Sequence, residues 1–341
     1  MNKPTAVLLG YDLEQPSFRH RMRSLIGPLE AAGWQVRMER FPSGRYGLRT
    51  WERRSLLRAA DVVVLHQIKL SPIEGRLFAS VSRRRVFDVD DAIYVRRPRR
   101  LGEAADDSPW RRRKFAATCR WVDVVAAGND VLAGVARAAA QSLIVLPTSI
   151  DIAAYQPTTA TPADPPTIVW IGSPENLVYL EMIRPALARL TVRYKTLKMR
   201  VICSRFPEWA DVNVERIAWS SATEAKMLAT AHIGVMPLSD DEWARGKCAF
   251  KLLQYMAAAL PCVASPVGAN TEAVIDGVNG FHARNVDDWE RHLGSLIESP
   301  ELRARFGASG RDHVESRYAM RTYQARYVDL LTRLSSGSGR D

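Results

Sequence analysis

The sequence predicts an α/β protein made of two doubly wound parallel-sheet domains. Short apolar runs of strand type alternate with segments of helical period along most of the chain, which favours parallel sheets with helices on both faces. Two such runs, Thr5–Gly10 and Thr167–Gly172, end in glycine and each opens one half. Between the halves, residues 156–166 are rich in Pro, Thr and Ala and have no apolar period, as expected of a linker.

The composition is that of a globular protein that favours anionic partners. The chain has 341 residues, 47% hydrophobic and 25% charged, enough for two domains of ordinary size. Its net charge of +11 suits nucleotide phosphates, acidic lipids or nucleic acid, without choosing among them.

The four cysteines form no Cys-x-x-Cys pair, so we expect free thiols in a reducing cytosol rather than a metal site or disulfides. The sequence shows neither a signal peptide pattern nor an apolar run near the roughly 20 residues of a membrane span, which favours a cytoplasmic protein, with the inner face of the membrane left open.

The first half, 1–155, is predicted to be one Rossmann-like domain. Its strand-type runs lie at 5–10, 34–38, 61–66, 85–94, 122–129 and 143–151. After the first strand, Gly10 opens a loop that leads through Ser17 to Arg19 and Arg21 at the start of a helix. Side chains at the carboxyl end of a strand can reach a phosphate. Ordinary surface charge explains the two arginines equally well, and both interpretations stay open on the residues alone.

Three acids, Asp88, Asp90 and Asp91, stand near the carboxyl end of the fourth predicted strand. Ligands of open α/β sheets bind outside the carboxyl ends of the strands, so these acids are functional candidates. One of them could instead cap the segment that follows. No His or Cys accompanies them in the sequence, which disfavours a metal site.

The chain then becomes strongly basic, in two groups: Arg96, Arg97, Arg99 and Arg100, and then Arg111–Lys114 beside Trp110. Basic residues with an aromatic between them can bind a membrane surface or a nucleic-acid backbone. Solvated loop charge is the alternative.

The second half, 167–316, is predicted to be another Rossmann-like domain. Its strand-type runs lie at 167–172, 198–203, 214–217, 233–238 and 262–265. An amphipathic helix is predicted over 317–334, followed by a small polar tail, 335–341, that we expect to be disordered.

The most informative stretch is Phe250–Glu272. A helical pattern ends before Pro261, a buried strand follows, and Gly268 marks a turn. Lys247 and Lys251 stand four residues apart around the helix start. Positive side chains at a helix N-terminus can form a phosphate site, and a solvated basic helix end is the alternative.

The run Lys247–Glu272 resembles the signature of family four glycosyltransferases, in the branch whose helix reads Lys-Leu-Leu-Gln/Glu-Tyr-Met-Ala. This resemblance implies the GT-B fold, with two Rossmann-like domains facing a cleft and a last helix crossing back to the first domain. It also implies a retaining, metal-independent enzyme of hexosyltransferase type. Such an enzyme moves a sugar from a nucleotide-diphosphate-sugar, its substrate, to a glycan or glycolipid acceptor, and needs no further cofactor.

The resemblance also assigns roles to individual residues. Catalytic positions beside the reacting sugar fall on Asp90 and Asp91. Donor-binding positions fall on Gly172, Ser173, Lys247, Lys251, Gln254, Gly268 and Glu272, and Arg205 is a candidate substitute for an absent basic residue of the diphosphate clamp. The acceptor side falls on Gly10, Ser17, Arg19 and Arg21. The two basic groups, Arg96–Arg100 and Arg111–Lys114, are candidates for peripheral membrane contact.

Two departures from the family pattern affect the donor site. Gly246 and Gln254 replace the two acids of the family's Glu-x7-Glu. The usual Gly-Arg…Lys is Gly172-Ser173…Asn176, so half of the diphosphate clamp is missing and more weight falls on Lys247 and Lys251. An atypical donor and weakened catalysis both remain open.

Two other functions fit part of the sequence. A nucleotide-sugar 2-epimerase shares the architecture but needs carboxylates and a His around the sugar, which the second half does not offer. A basic nucleic-acid-binding protein fits the net charge but has no binding motif, and the α/β pattern speaks against it. We therefore expect no nucleic-acid partner.

Overall fold

Two parallel six-stranded sheets organise the protein, as a computed structural model shows for residues 3–42, 44–103, 107–157 and 166–337. The first sheet has the order β2-β1-β3-β4-β5-β6, with strands β1 Thr5–Gly10, β2 Gln35–Arg40, β3 Val62–His66, β4 Arg84–Val89, β5 Val124–Ala127 and β6 Leu143–Val145. The second has the order β12-β11-β10-β7-β8-β9, with strands β7 Thr167–Ile171, β8 Lys198–Cys203, β9 Val214–Ala218, β10 Ile233–Met236, β11 Cys262–Ala264 and β12 Gly280–His282. Central strands such as β3 are buried along their whole length, because helices cover both faces of a parallel sheet.

Helices connect the strands in both halves. The first half contains α1 Pro16–Arg21, α2 Ile26–Ala31, α3 Tyr46–Glu52, α4 Arg54–Ala59, α5 Pro72–Val81, α6 Pro109–Trp121 and α7 Asp130–Arg137. The remainder contains α8 Arg184–Arg193, α9 Glu224–Ala229, α10 Glu242–Arg245, α11 Phe250–Ala257, α12 Asn270–Ala273, α13 Val286–Glu298, α14 Pro300–Arg317 and α15 Met320–Ser336. Short 3₁₀ turns lie at Arg23–Leu25, Ile152–Ala154 and Pro174–Met182. The prediction of two doubly wound α/β units is confirmed.

Local sequence explains several helix starts. Ser71 and Glu74 form a capping box at the start of α5. Asn129 and Asn285 accept backbone N–H groups at the starts of α7 and α13. Helix α11 differs, because it begins after Ala249, which has a left-handed φ of 53° and provides no side-chain cap.

The last helix packs against the first sheet. Tyr323, Tyr327 and Leu331 of α15 lie in the same apolar cluster as Leu8 and Phe18. The Tyr323 hydroxyl donates to the Arg21 carbonyl at 2.8 Å, which ties α15 to α1. The chain therefore returns to its first half after leaving the second sheet.

The bounds of α15 differ from the sequence prediction at both ends. The helix starts at Met320 instead of 317, because Ile150 pairs with the extended residue Ala319 and interrupts the helical path. It continues through Ser335 and Ser336 to a left-handed Gly337, with a φ of 76°. The predicted disorder is therefore wrong for 335 and 336, whose hydroxyls bond back to helix carbonyls. Residues 338–341, and residues 158–165 of the predicted linker, lie outside the described residues.

Candidate active site

The carboxyl ends of the first sheet meet the segment that follows β10. The Cys248 thiol lies 3.2 Å from the Asp90 carbonyl. The Asn129 side-chain amide donates to the carbonyls of Gly246 and Lys247, at 3.1 Å each. These contacts bring the acid cluster of the first half against the start of α11 in the second.

Two glycines allow this close approach. A Cβ atom on Gly128 would lie 2.5 Å from the Cys248 sulfur, and one on Gly246 would lie 2.6 Å from the Ala92 Cβ. Real Cβ atoms do not approach other atoms so closely, so both positions exclude a side chain. This packing leaves no room for a glutamate side chain at position 246.

Lys251 and Gly172 come together beside β7. A Cβ on Gly172 would lie 2.8 Å from the Cε of Lys251, so the glycine makes room for the lysine stem. The Lys251 ammonium lies 5.9 Å from the centre of the Trp170 ring, and the Lys247 ammonium lies 5.3 Å from that of Trp243. Two ammonium groups and an uncapped helix start form a cationic site, as a phosphate requires.

Asp91 lies opposite these lysines. Burial lowers the pKa of Lys251 to about 8, with Lys247 adding to the shift and Asp91 opposing it. Burial raises the pKa of Asp91, and Lys247 and Lys251 oppose that rise. Neighbouring titratable groups whose pKa values are shifted in this way mark candidate functional sites. Because the two lysines repel each other, an anion bound between them would be stabilised.

Asp90 is held by a hydrogen-bonded network in the first half. Its Oδ2 accepts from the Ser17 hydroxyl at 2.5 Å, and its Oδ1 accepts from the Gln67 amide. The Ser17 Oγ also lies 2.9 Å from the Nε2 of His66, whose Nδ1 lies 2.9 Å from the Asp88 carboxylate. Gln67 has a φ of 54°, which is unusual for a non-glycine residue and occurs at functional sites.

Arg21 does not reach the acceptor side, contrary to the sequence prediction. It is fully buried and binds Asp88 with two hydrogen bonds of 2.8 and 2.7 Å. Its remaining nitrogen donates to the Leu146 carbonyl and the Thr148 hydroxyl. A guanidinium that is satisfied in this way supports the site from behind, and cannot contact a ligand.

The other predicted acceptor-side residues lie near the network. A Cβ on Gly10 would lie 2.4 Å from the Phe18 ring, so glycine is needed where β1 turns into α1. Arg19 is half-buried beside His20. The His20 ring lies 4.4 Å from that of Phe250, which is the first residue of α11. Helix α1 therefore contacts the start of α11 directly.

The remaining donor-side predictions are placed less uniformly. Ser173 and Arg205 are exposed, and the Ser173 hydroxyl accepts from the Asn176 amide at 2.8 Å. Gln254 is only 4% exposed, and its amide nitrogen donates to the Tyr155 hydroxyl at 2.9 Å. One of the two hydrogens of that amide is therefore already bound, and burial shields the side chain from solvent.

Gly268 and Glu272 lie around α12. Gly268 has a φ of 53°, and a Cβ there would lie 2.4 Å from the Arg245 carbonyl oxygen. Glu272 is exposed, and its backbone carbonyl accepts from His313. Glycine at 268 thus lets the turn before α12 pack against the end of α10.

The sequence prediction missed His66 and Gln67 as site residues. Both stand at the carboxyl end of β3, which pairs directly with β4. The rule that singled out the acids after β4 applies equally to the residues after β3. Among the described residues, no cluster of three or more His, Cys, Asp or Glu side chains could hold a metal ion.

The second sheet lies within a region that matches a protein-family model. Residues 165–299 match the family model described as glycosyl transferases group 1. No curated protein sequence matches the chain.

Solved structures match nearly the whole chain. Sucrose-phosphate synthase from Thermosynechococcus elongatus is 14% identical, with a TM-score of 0.77, over 98% of this chain and 100% of that one. A glycosyltransferase from Rickettsia africae is 11% identical, with a TM-score of 0.76, over 98% and 99%. HepE from Anabaena, solved with UDP-glucose, is 14% identical, with a TM-score of 0.71, over 96% and 99%.

These similarities show that the fold is GT-B, two Rossmann-like units of the kind found in glycosyltransferases. The match of residues 165–299 to the model of glycosyl transferases group 1 supports a glycosyltransferase as the class of this protein. None of the described helices is long and apolar enough to cross a membrane.

Proposed function

We propose that this protein is a retaining, metal-independent glycosyltransferase of family four that moves a hexose from a nucleotide-diphosphate-sugar to a glycan or glycolipid acceptor. The observation that carries the proposal is the cationic site of Lys247, Lys251 and the start of α11, opposite Asp90 and Asp91. The site combines a place for the diphosphate with carboxylates for sugar hydroxyls.

The cationic site suits the leaving group of such a reaction. When the bond between the sugar C1 and the diphosphate oxygen breaks, negative charge grows on that oxygen. Two ammonium groups and the helix start stabilise this charge without a metal ion. The pKa of Lys251, about 8, rises when the phosphate arrives, so the lysine binds the donor in its charged form.

In the proposed reaction, the acceptor oxygen bonds to C1 on the face that the diphosphate leaves. The acceptor proton passes to the departing phosphate oxygen, so charge and atoms balance and the anomeric configuration is kept. Asp90 and Asp91 accept hydrogen bonds from the transferred sugar, which positions C1 between the two groups.

The donor site lacks both carboxylates of the family pattern, because glycine and glutamine stand at positions 246 and 254. Gly246 packs against Ala92, and the Gln254 amide nitrogen is bound to Tyr155. HepE, which shares the fold, has been solved in complex with UDP-glucose, and this supports a uridine nucleotide as the first donor to test.

We also propose a cytoplasmic enzyme that contacts an anionic membrane face through its basic groups. Part of these groups is already engaged, because Arg112 pairs with Asp107 and Glu242. Arg99, Arg100 and Arg113 are exposed and suit phosphate headgroups.

Nucleotide binding tests the proposed function directly. Thermal unfolding is followed with UDP, GDP, dTDP and ADP, for the wild type, Lys251→Ala and the control Lys226→Ala, whose lysine is exposed on α9. A ligand at about 100 times its dissociation constant adds about 2.7 kcal/mol of stability. We expect one diphosphate to stabilise the wild type and the control but not Lys251→Ala. No stabilisation by any of the four would contradict the proposal.

A further inference from the structure

A chain of hydrogen bonds links two carboxylates of the first half through an imidazole and a hydroxyl. The order is Asp88, His66, Ser17 and Asp90, with separations of 2.9, 2.9 and 2.5 Å. The residues come from α1, from the end of β3 and from the end of β4. The proposed sugar transfer uses Asp90 but gives no role to Asp88, His66 or Ser17.

At the Asp88 end of these hydrogen bonds, the charge state is fixed. Asp88 is fully buried and accepts two hydrogen bonds from Arg21 and one from Tyr327 at 3.3 Å. Burial would raise the pKa of Asp88, but the charge and hydrogen bonds of Arg21, with those of His66, hold it well below its usual range. Asp88 is therefore an anion that can only accept, and the Nδ1 of His66 must carry a proton toward it.

The two hydrogen bonds that Ser17 makes with His66 and Asp90 require one proton more than the Ser17 hydroxyl carries. A serine hydroxyl has one proton to donate and two lone pairs. Ser17 has three partners, and the Gln67 amide, at 3.3 Å, can only donate to it. Since Ser17 donates to only one of His66 and Asp90, the other must donate to Ser17. Either His66 is an imidazolium and Asp90 a carboxylate, or His66 is neutral and Asp90 a carboxylic acid.

We infer that His66 and Asp90 share one proton through Ser17, and that His66 is a positioning residue that sets the charge and direction of the Asp90 carboxylate in the cleft. The consequence for sugar transfer rests on the proposed function. When a sugar hydroxyl donates to Asp90, the proton moves to His66, and the imidazolium balances the carboxylate. Loss of the shared proton at high pH leaves His66 and Asp90 competing for the single Ser17 proton. One of their two hydrogen bonds to Ser17 is then lost.

The order of carboxylate, imidazole and hydroxyl is also that of a nucleophilic serine triad. Two observations disfavour a nucleophilic serine here. The charge of Asp88 is already neutralised by two hydrogen bonds from Arg21, and the Ser17 hydroxyl is bound to Asp90 at 2.5 Å. The geometry suits a hydroxyl that passes a proton between two side chains better than one that attacks a substrate.

Other titratable and charged groups also face this network. They come from α1, the loop before it, the end of β4, the start of α11 and α15: Tyr11, Arg19, His20, Arg21, Asp91, Lys247, Cys248, Lys251, Tyr323 and Tyr327. They are the same in every variant below, so a difference among variants reports on the proton that His66 and Asp90 share.

The shared proton is tested without substrate, on full-length protein labelled with ¹⁵N-histidine. The chain has six histidines, and His66→Asn identifies the His66 signals. Nitrogen shifts are followed against pH in the wild type, Ser17→Ala, Asp90→Asn and Ser17→Thr, which keeps the hydroxyl. Ser24→Ala is the matched control, since its hydroxyl bonds to the His20 carbonyl and not to the network. Circular dichroism confirms that each variant is folded.

We expect the His66 nitrogen signals to change at a lower pH in Asp90→Asn and Ser17→Ala than in the wild type, because each change removes a group that holds the shared proton. Ser17→Thr and Ser24→Ala should follow the wild type. Identical titrations in Asp90→Asn and the wild type would overturn the shared proton.

A second arm tests the positioning role through the pH dependence of kcat for sugar transfer. The high-pH limb should move by a similar amount in Ser17→Ala and be restored in Ser17→Thr. An unchanged limb in a variant whose nitrogen titration has moved would overturn the positioning role. If no nucleotide-sugar is turned over, the proposed function fails, while the nitrogen titration still decides the shared proton.

Discussion

The buried pair of Arg21 and Asp88 makes a sharp prediction about stability. Arg21→Ala removes two hydrogen bonds and the guanidinium paired with Asp88, and both side chains are at most 1% exposed. A poorly compensated carboxylate then remains inside the first half. Breaking such a buried pair from one side costs about 3–5 kcal/mol, because the remaining charge keeps its desolvation penalty.

The assay is urea unfolding of the wild type, Arg21→Ala and Arg193→Ala at pH 7. Arg193 provides the matched control, because its 2.5 Å ion pair with Glu298 is more than half exposed on both sides. Exposed pairs contribute about 1 kcal/mol or less. We expect the loss in Arg21→Ala to exceed that in Arg193→Ala by at least about 2 kcal/mol. Equal losses would refute the view that Arg21 neutralises Asp88.

The same pair predicts a pH dependence of definite sign. The folded-state pKa of Asp88 lies below its unfolded value, so its contribution to stability is complete above a pH of about 4. That contribution is lost as the pH falls through the folded-state value. The difference in the free energy of unfolding between wild type and Arg21→Ala should therefore be largest near neutral pH and shrink in acid. A difference that grows in acid would contradict this linkage.

Three further predictions concern the cleft and the surface. Since the pKa of Lys251 is about 8, the affinity for a nucleotide diphosphate should fall by up to about tenfold per pH unit above pH 8. Lys251→Arg stays charged, so its affinity should change little between pH 7 and 9. If calorimetry gives the same pH dependence of affinity for both proteins, the role of Lys251 is contradicted. Gly246→Ala should lower the free energy of unfolding by about 1–3 kcal/mol, since the new Cβ would lie 2.6 Å from the Cβ of Ala92. An unchanged urea midpoint would show that the two halves are not in contact there. Replacing Arg99, Arg100 and Arg113 with serine should lower the affinity for anionic vesicles, measured by co-sedimentation, about 100-fold, at about 1 kcal/mol per charge. Unchanged binding would show that these arginines do not contact the membrane.

Much of the architecture could be predicted from the sequence because strand and helix periods are local properties. The alternation of buried runs such as Val62–His66 with helical segments requires parallel sheets, and glycines 10 and 172 mark where β1 and β7 end. The basic helix start at Lys247 and Lys251 was also readable, because both residues lie within one turn of the start of α11.

The part of the site that was not predicted depends on contacts between distant residues. Arg21 and Asp88 are 67 residues apart in the chain, and neither position shows in sequence that the other is its partner. In the same way, the Asp90 network joins residues 17, 66 and 90 through the order of β1, β3 and β4, which only the folded sheet reveals. The glycine at 246 left an atypical donor and weakened catalysis both open in the sequence, which does not show that this position packs against Ala92.

Sugar transfer with retention from a nucleotide-diphosphate-sugar can be observed directly. Proton NMR of the full-length protein with UDP-glucose, water serving as the simplest acceptor, follows both the released diphosphate and the first-formed anomer of the sugar. We expect release of UDP with α-glucose as the first product, and loss of this activity in Lys251→Ala. First release of β-glucose would contradict retention, and no release from UDP-glucose or from the corresponding GDP, dTDP and ADP sugars would contradict the glycosyltransferase itself.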